Sequence, residues 1–141
     1  MILCGVVAAD DRGLDATSDG DVALHAVADA LLGAAALGDL GMHFPSTAPV
    51  WVGASSADIL RRVVSLVRGS GYSPGNVDVT IVAQSVPIAP HREAMRAVLA
   101  GHLGIAHDFV SVKATTTDGM GFTGRDEGIA VFAAATVQPL S

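Results

Sequence analysis

Ser18-Asp19-Gly20-Asp21-Val22-Ala23-Leu24-His25 places a helix start, two carboxylates and a histidine in one short run. Ser18 is the expected N-cap, because its hydroxyl can accept a backbone N–H, and Asp21, three residues on, can reach back to the cap. Asp21, His25 and Asp29 recur every four residues and so share one helix face. The rest of that face is Ala, Leu and Val. Two readings stand: a metal-ligating histidine whose neighbours orient it, or a buried histidine satisfied by two carboxylates.

Working outward, the apolar period predicts a helix over 19–37 that stops at Gly38. Upstream, 2–7 reads as one short buried strand and 10–17 as a polar loop. Downstream, 39–55 is irregular, broken by Gly41, Pro45, Pro49 and Gly53. Ser56 is the expected cap of a second helix over 57–68, with Ile59, Leu60, Val63, Val64 and Val67 on its apolar face. After a turn at 73–76, 77–83 reads as a strand. A third helix over 91–103 opens at Pro90 and closes at Gly104. Residues 109–114 alternate as a strand, with Val110 and Val112 on one face. A polar, Gly-rich loop over 115–128 leads to a last strand over 129–137. Strands and helices mingle without strict alternation, so the predicted class is α+β (mixed α/β), a sheet packed against three helices in one domain spanning 1–141.

The chain has 141 residues, half of them hydrophobic and 16% charged, with a formal net charge of −6. That length supports one core. The acid excess argues against nucleic-acid binding, and no run approaches the roughly 18 apolar residues of a membrane span. The short apolar start lacks the basic flank of a leader. Cys4 is the sole cysteine, which excludes an internal disulfide and fits a reducing compartment, with cytoplasm expected. Small residues with little charge to cover a free surface suggest an oligomer.

The loop Thr115-Thr116-Thr117-Asp118-Gly119-Met120-Gly121-Phe122-Thr123-Gly124-Arg125 follows one strand and precedes another. Its hydroxyls and glycines suit a diphosphate, with Arg125 for charge and Asp118 for a divalent ion. The competing reading is a long β-hairpin loop. Asp39-Leu40-Gly41 suits either sugar hydroxyls or a helix end and turn. The segment 83–90 suits either backbone recognition of a base or a plain strand-to-helix connection. His91, His102 and His107 lack ligand spacing and read as surface or capping residues.

The runs SDGDVALHA (18–26), DALLGAAALGDLG (29–41), GNVDVTIVAQ (75–84) and VKATTTDGMGFTGRDEGIA (112–130) together resemble the 2-C-methyl-D-erythritol 2,4-cyclodiphosphate synthases of the non-mevalonate isoprenoid pathway. The resemblance covers nearly the whole chain. It implies a mixed α/β domain forming a homotrimer, with active sites between subunits. The implied reaction cyclises 4-diphosphocytidyl-2-C-methyl-D-erythritol 2-phosphate and releases CMP. The implied cofactors are Zn²⁺, held by an Asp and two His, and a second divalent ion, Mg²⁺ or Mn²⁺, bridging two phosphates.

Carried over by residue, the resemblance makes His25 a zinc ligand and Asp118 the carboxylate on the second ion. Thr115 and Thr116 become phosphate contacts, Thr116 with a catalytic role in the transition state. Arg125 binds phosphate near the trimer axis. Asp39 and Gly41 hold the ribose, with Phe44 and Ser46 in the same substrate-binding segment. Backbone from Ala83 through Pro87, Ile88 and Ala89 reads the cytosine. Phe122 lies where the family lines a central cavity that in some members accepts an isoprenoid diphosphate. Thr17 stands where the family has a histidine that positions the reacting phosphate, next to Ser18.

The departures fall on the chemistry. No Asp-x-His occurs in this chain, and the family carries that motif on a strand upstream of the segment that begins here. Ser46 replaces an Asp, Val86-Pro87 a Pro-Lys, and Asp126 a Gly beside Arg125. Asp10, Asp11, Asp15 and His43 are the residues at hand to complete a metal set. The expectation is an enzyme, a phosphorus–oxygen lyase. The alternative is a catalytically impaired relative that binds a nucleotide or isoprenoid diphosphate.

Overall fold

The structure is a computed structural model and describes residues 1–9, 20–45, 47–48 and 54–140. Ten elements carry the argument. They are β1 (Ile2–Leu3), β2 (Val6–Val7), α1 (Val22–Ala34), α2 (Leu40–His43), α3 (Ser56–Gly69), β3 (Tyr72–Val82), α4 (Arg92–Leu103), β4 (Val110–Thr115), α5 (Gly121–Gly124) and β5 (Ala130–Pro139). Short 3₁₀ turns precede α4 (Ala89–His91) and β4 (His107–Phe109).

The three long strands form one sheet in the order β4-β3-β5. β3 and β4 are parallel, which requires a crossover, and α4 supplies it. β5 returns antiparallel on the other side of β3. Helices α1, α3 and α4 pack on one face, α1 mainly on β5, α3 on β3 and α4 on β4. The expected α+β class and the sheet against three helices both hold. Apolar alternation explains the sidedness. Val77, Val79 and Ile81 of β3 and Val110 and Val112 of β4 point into the core, where they meet Leu24, Leu31, Leu60, Val63, Val67, Met95 and Leu99. The opposite face carries Asp78, Thr80, Ser111, Lys113, Phe132 and Ala134. No described helix covers it, and Phe132 is 66% exposed.

Several local expectations are corrected. The single strand expected over 2–7 is a small antiparallel hairpin, with Leu3 paired to Val6. Cys4 (φ 50°) and Gly5 (φ 74°) both adopt left-handed backbone, as a two-residue primed turn demands. A Cβ on Gly5 would lie 2.8 Å from Val98 Cγ1, so the turn also needs glycine to approach α4. The cap of α1 is Asp21, whose side chain accepts Leu24 N–H. Ser18 lies outside the described residues. The helix stops at Ala34, before Gly38. α3 starts one residue earlier than predicted, with Ser55 rather than Ser56 as cap. The turn expected over 73–76 lies within β3, as an irregularity in its pairing with β5 between Pro74 and Val77. α4 closes at left-handed Gly104, as predicted. β4 and β5 flank β3 and do not pair with each other, so the hairpin reading of 115–128 fails.

Candidate active site

Two groups of the expected site residues stand on different elements. The first lies at one end of the sheet, where β3 and β4 both finish. Here the segment after β3 holds the loop after β4 at three places. Ala83 N–H donates to Thr115 O (3.0 Å), Gly119 N–H to Gln84 Oε1 (3.3 Å) and Ser85 Oγ to Asp126 Oδ2 (2.5 Å).

Within the loop, the three threonines divide their work. Thr117 Oγ1 bonds Met120 O (2.7 Å) and the buried Thr123 Oγ1 (2.8 Å), so it is structural. Thr115 and Thr116 are exposed. Thr116 Oγ1 meets both the N–H and Oδ1 of Asp118 at 3.2 Å, in a local turn that holds Asp118 at φ 53°. Gly124 packs so close that an added Cβ would collide with the Gly119 backbone. These contacts hold Thr115, Thr116, Asp118 and Arg125 on an exposed loop, where their side chains stay open to solvent. Arg125 is more than half exposed, and its Nε donates to Glu127 Oε1 at 2.5 Å.

In the segment 83–89, Ala83, Val86 and Ile88 are buried, while Pro87 and Ala89 are exposed. Ala83 and Ile88 can therefore offer a ligand only backbone. Phe122 is 53% exposed beside the same loop.

The second group lies on α1 and the turn after it. Asp39 caps α2 by accepting Met42 N–H (3.0 Å), and Gly41 sits against its carboxylate. Asp29 Oδ1 accepts Leu40 N–H (2.8 Å), which fixes this turn to α1. Asp29, Asp39, Gly38 and Ala26 line an open groove of about 440 Å³ against Val131, Phe132 and Ala133 of β5. Phe44 is buried, so its ring belongs to the core. Thr17, Ser18 and Ser46 lie outside the described residues.

The Asp21–His25–Asp29 stripe separates by function. Asp21 is fully buried and accepts N–H groups of Cys4, Gly5 and Leu24. His25 Nε2 lies 2.9 Å from Ser56 Oγ, a hydroxyl that is itself fully buried. Among the described residues no three His, Cys, Asp or Glu side chains converge on a metal position. The described residues of one chain therefore do not fit a three-ligand zinc. His43 Nε2 bonds Leu37 O at 2.7 Å, while Asp10, Asp11 and Asp15 lie outside the described residues. Asp118 does fit the second ion, since Mg²⁺ is commonly held by one carboxylate and substrate phosphates.

The YgbB family model matches residues 1–138. The chain belongs to that family. A curated 2-C-methyl-D-erythritol 2,4-cyclodiphosphate synthase of Ectopseudomonas mendocina is 59% identical over 135 residues, covering 96% of this chain and 86% of its own length. The bifunctional IspDF of Campylobacter jejuni superposes with a TM-score of 0.96 at 38% identity, over 100% of this chain and 38% of that one. A Plasmodium falciparum IspF in complex with CDP superposes at 0.86 with 30% identity, over 100% of this chain and 85% of that one. The resemblance read from the four sequence runs is thus the family's.

Gln84, Ser85 and Glu127 were not singled out in the sequence, and Ser56 was read only as a helix cap, not as the partner of His25. Gln84, Ser85 and Ser56 carry no motif spacing, and only the fold brings each to its partner, while Glu127 meets Arg125 two residues away.

Proposed function

We propose that the chain catalyses cyclisation of 4-diphosphocytidyl-2-C-methyl-D-erythritol 2-phosphate with release of CMP, as a phosphorus–oxygen lyase of isoprenoid biosynthesis. The observation that carries this is the loop 115–125. Its phosphate-directed groups are presented outward at the end of the sheet, in a chain 59% identical to a curated synthase of that name. The 2-phosphate oxygen attacks the β-phosphorus, the bond from that phosphorus to the bridging oxygen breaks, and the electron pair leaves with CMP.

Two anions must meet for this, so the residues chiefly neutralise and orient. Arg125 and the Thr115 and Thr116 hydroxyls bind phosphate oxygens, with Thr116 nearest the charge that develops. Asp118 would hold Mg²⁺ or Mn²⁺, which would supply positive charge to neutralise the diphosphate. Asp39 and Gly41 take the ribose and backbone of 83–89 the cytosine. Zinc at His25 would need ligands beyond the described residues of one chain.

The working form is a homotrimer with sites between subunits, in a reducing cytoplasm. The uncovered sheet face supports this. Phe132 stands exposed there, and Asp78 Oδ1 is shielded from water without a hydrogen-bond partner, while its Oδ2 takes Lys113 Nζ at 2.8 Å. A neighbouring copy would supply the missing donor. Phe122 would line the central cavity, open to an isoprenoid diphosphate.

The test is turnover. Purified protein with Zn²⁺ and Mg²⁺ is given the cytidine diphosphate ester, and CMP and cyclic diphosphate are followed by chromatography. Both products support the proposal. A folded oligomer that binds CDP but releases no CMP would make the chain a binding relative instead.

A further inference from the structure

Three consecutive residues, Ala83, Gln84 and Ser85, reach across to Thr115, Gly119 and Asp126 in turn. The first two contacts involve backbone on the far side. The third joins two side chains, Ser85 Oγ to Asp126 Oδ2 at 2.5 Å, between exposed residues 41 positions apart.

Asp126 occupies a sensitive place. It follows α5 in left-handed backbone (φ 59°), the conformation that usually ends a helix on glycine. Its N–H donates to Thr123 O (3.1 Å), and the next N–H, from Glu127, donates to Phe122 O (3.0 Å). That turn sets the directions of both neighbours, Arg125 and Glu127, which pair with each other. A side chain other than glycine in this conformation carries strain, eased for Asp by a local polar contact. Ser85 holds the Asp126 carboxylate from the other segment.

We infer that Ser85 and Asp126 form a positioning pair that couples the nucleoside-binding segment to the phosphate-binding turn, so that the site favours a nucleoside diphosphate over its separate halves. The inference rests on the reading of 83–89 and 115–125 as two parts of one substrate site. Ser85 touches neither reacting group; it acts through Asp126 on the placement of Arg125. Ordering of segment 83–89 by a base then holds Asp126, and with it the guanidinium, before the diphosphate arrives. A cytosine-free diphosphate lacks that help.

The test measures affinities for cytidine, inorganic diphosphate and CDP by calorimetry in the wild-type oligomer, S85A, S85T, D126G and the S85A/D126G double variant. S85A is expected to weaken CDP about fivefold or more, with cytidine and diphosphate separately changed less than twofold. S85T, which keeps the hydroxyl, restores the wild-type pattern. D126G keeps the left-handed backbone, loses the acceptor, and is expected to lower CDP affinity relative to its own two halves as S85A does. The double variant shows no further loss of coupling, because each change removes the Ser85–Asp126 contact. Unchanged CDP affinity in a folded S85A overturns the inference, as does an equal fall for all three ligands. Wild-type protein that binds neither CDP nor cytidine overturns the site reading itself, and the coupling with it.

Discussion

The carboxylate of Asp21 is locked to the backbone of Cys4, accepting its N–H at 3.0 Å across 17 residues of sequence. The second oxygen takes Gly5 N–H at 2.7 Å, and the first also takes Leu24 N–H at 3.0 Å. One buried side chain therefore joins the hairpin turn to the start of α1. Asp21→Ala is expected to cost about 3 kcal/mol, because three donors lose their partner in a buried place. Asp21→Asn should cost less, about 1–2 kcal/mol, since an amide keeps one acceptor and turns an N–H toward another. Urea unfolding followed by circular dichroism measures both.

Cys4 beside it is fully buried, and burial, reinforced by the Asp21 charge, pushes its thiol far above the ordinary range. The thiolate is the reactive form. Native protein at pH 8 should leave Cys4 unmodified by a disulfide reagent over an hour, and the same protein in denaturant should react fully within minutes. Rapid labelling of the native chain would contradict the burial.

Two shifted groups fix the sign of the acid response. His102 is held below its ordinary value, chiefly by burial and then by Arg61. The unfolded chain therefore takes up that proton first, and stability falls as pH drops below about 6.5, levelling once the folded histidine titrates. Asp58 is also held low, by hydrogen bonds from Ser55 and Arg61, so its contribution is present above about pH 3.8 and is lost as pH falls through the folded value. Both act in the same direction. His102→Gln should flatten the part of this curve that begins as pH drops below about 6.5 and leave the lower, carboxylate part in place. Thermal melts across pH 3–8 read this directly.

Arg125→Ala should weaken CDP binding by about 10- to 100-fold, the worth of one or two charge-assisted hydrogen bonds. It should leave the melting temperature nearly unchanged, because the side chain is 58% exposed. Glu127→Gln frees the guanidinium from its partner and should strengthen binding of inorganic diphosphate. Calorimetry separates the two.

Phe132→Asp puts a charge on the uncovered sheet face, where the ring is exposed in the single chain. Sedimentation velocity should show the wild type as three copies and the variant as one. Circular dichroism should show that the variant keeps its fold. A wild type that sediments as one chain would remove the trimer and, with it, sites shared between subunits.

Periodicity made the core legible. Ile59, Leu60, Val63, Val64 and Val67 are all buried on α3, and Val110 and Val112 alternate inward on β4, as read from sequence. The polar turns were less legible. Cys4 gives no primed-turn signal of the Asn-Gly kind, so the hairpin read as one strand. Pro74-Gly75 reads as a turn, yet β3 absorbs it as an irregularity along its pairing with β5. The loop 115–125 reads as a candidate phosphate site through its residue types. Its anchors do not read so, because Gln84 and Ser85 meet it only through the pairing of β3 with β4.

The strand order β4-β3-β5 has a consequence for how the site comes into being. The chain leaves β4, passes over the end of β3 and starts β5 on the other side, so the loop 115–129 is the span between two non-adjacent strands. It must bridge roughly 10 Å, two strand spacings. The two ends are fixed together only when both distant pairings have formed, and such contacts form late in folding. Recovery of diphosphate binding after dilution from denaturant should therefore trail recovery of helix signal, which makes the ligand a probe of completed topology.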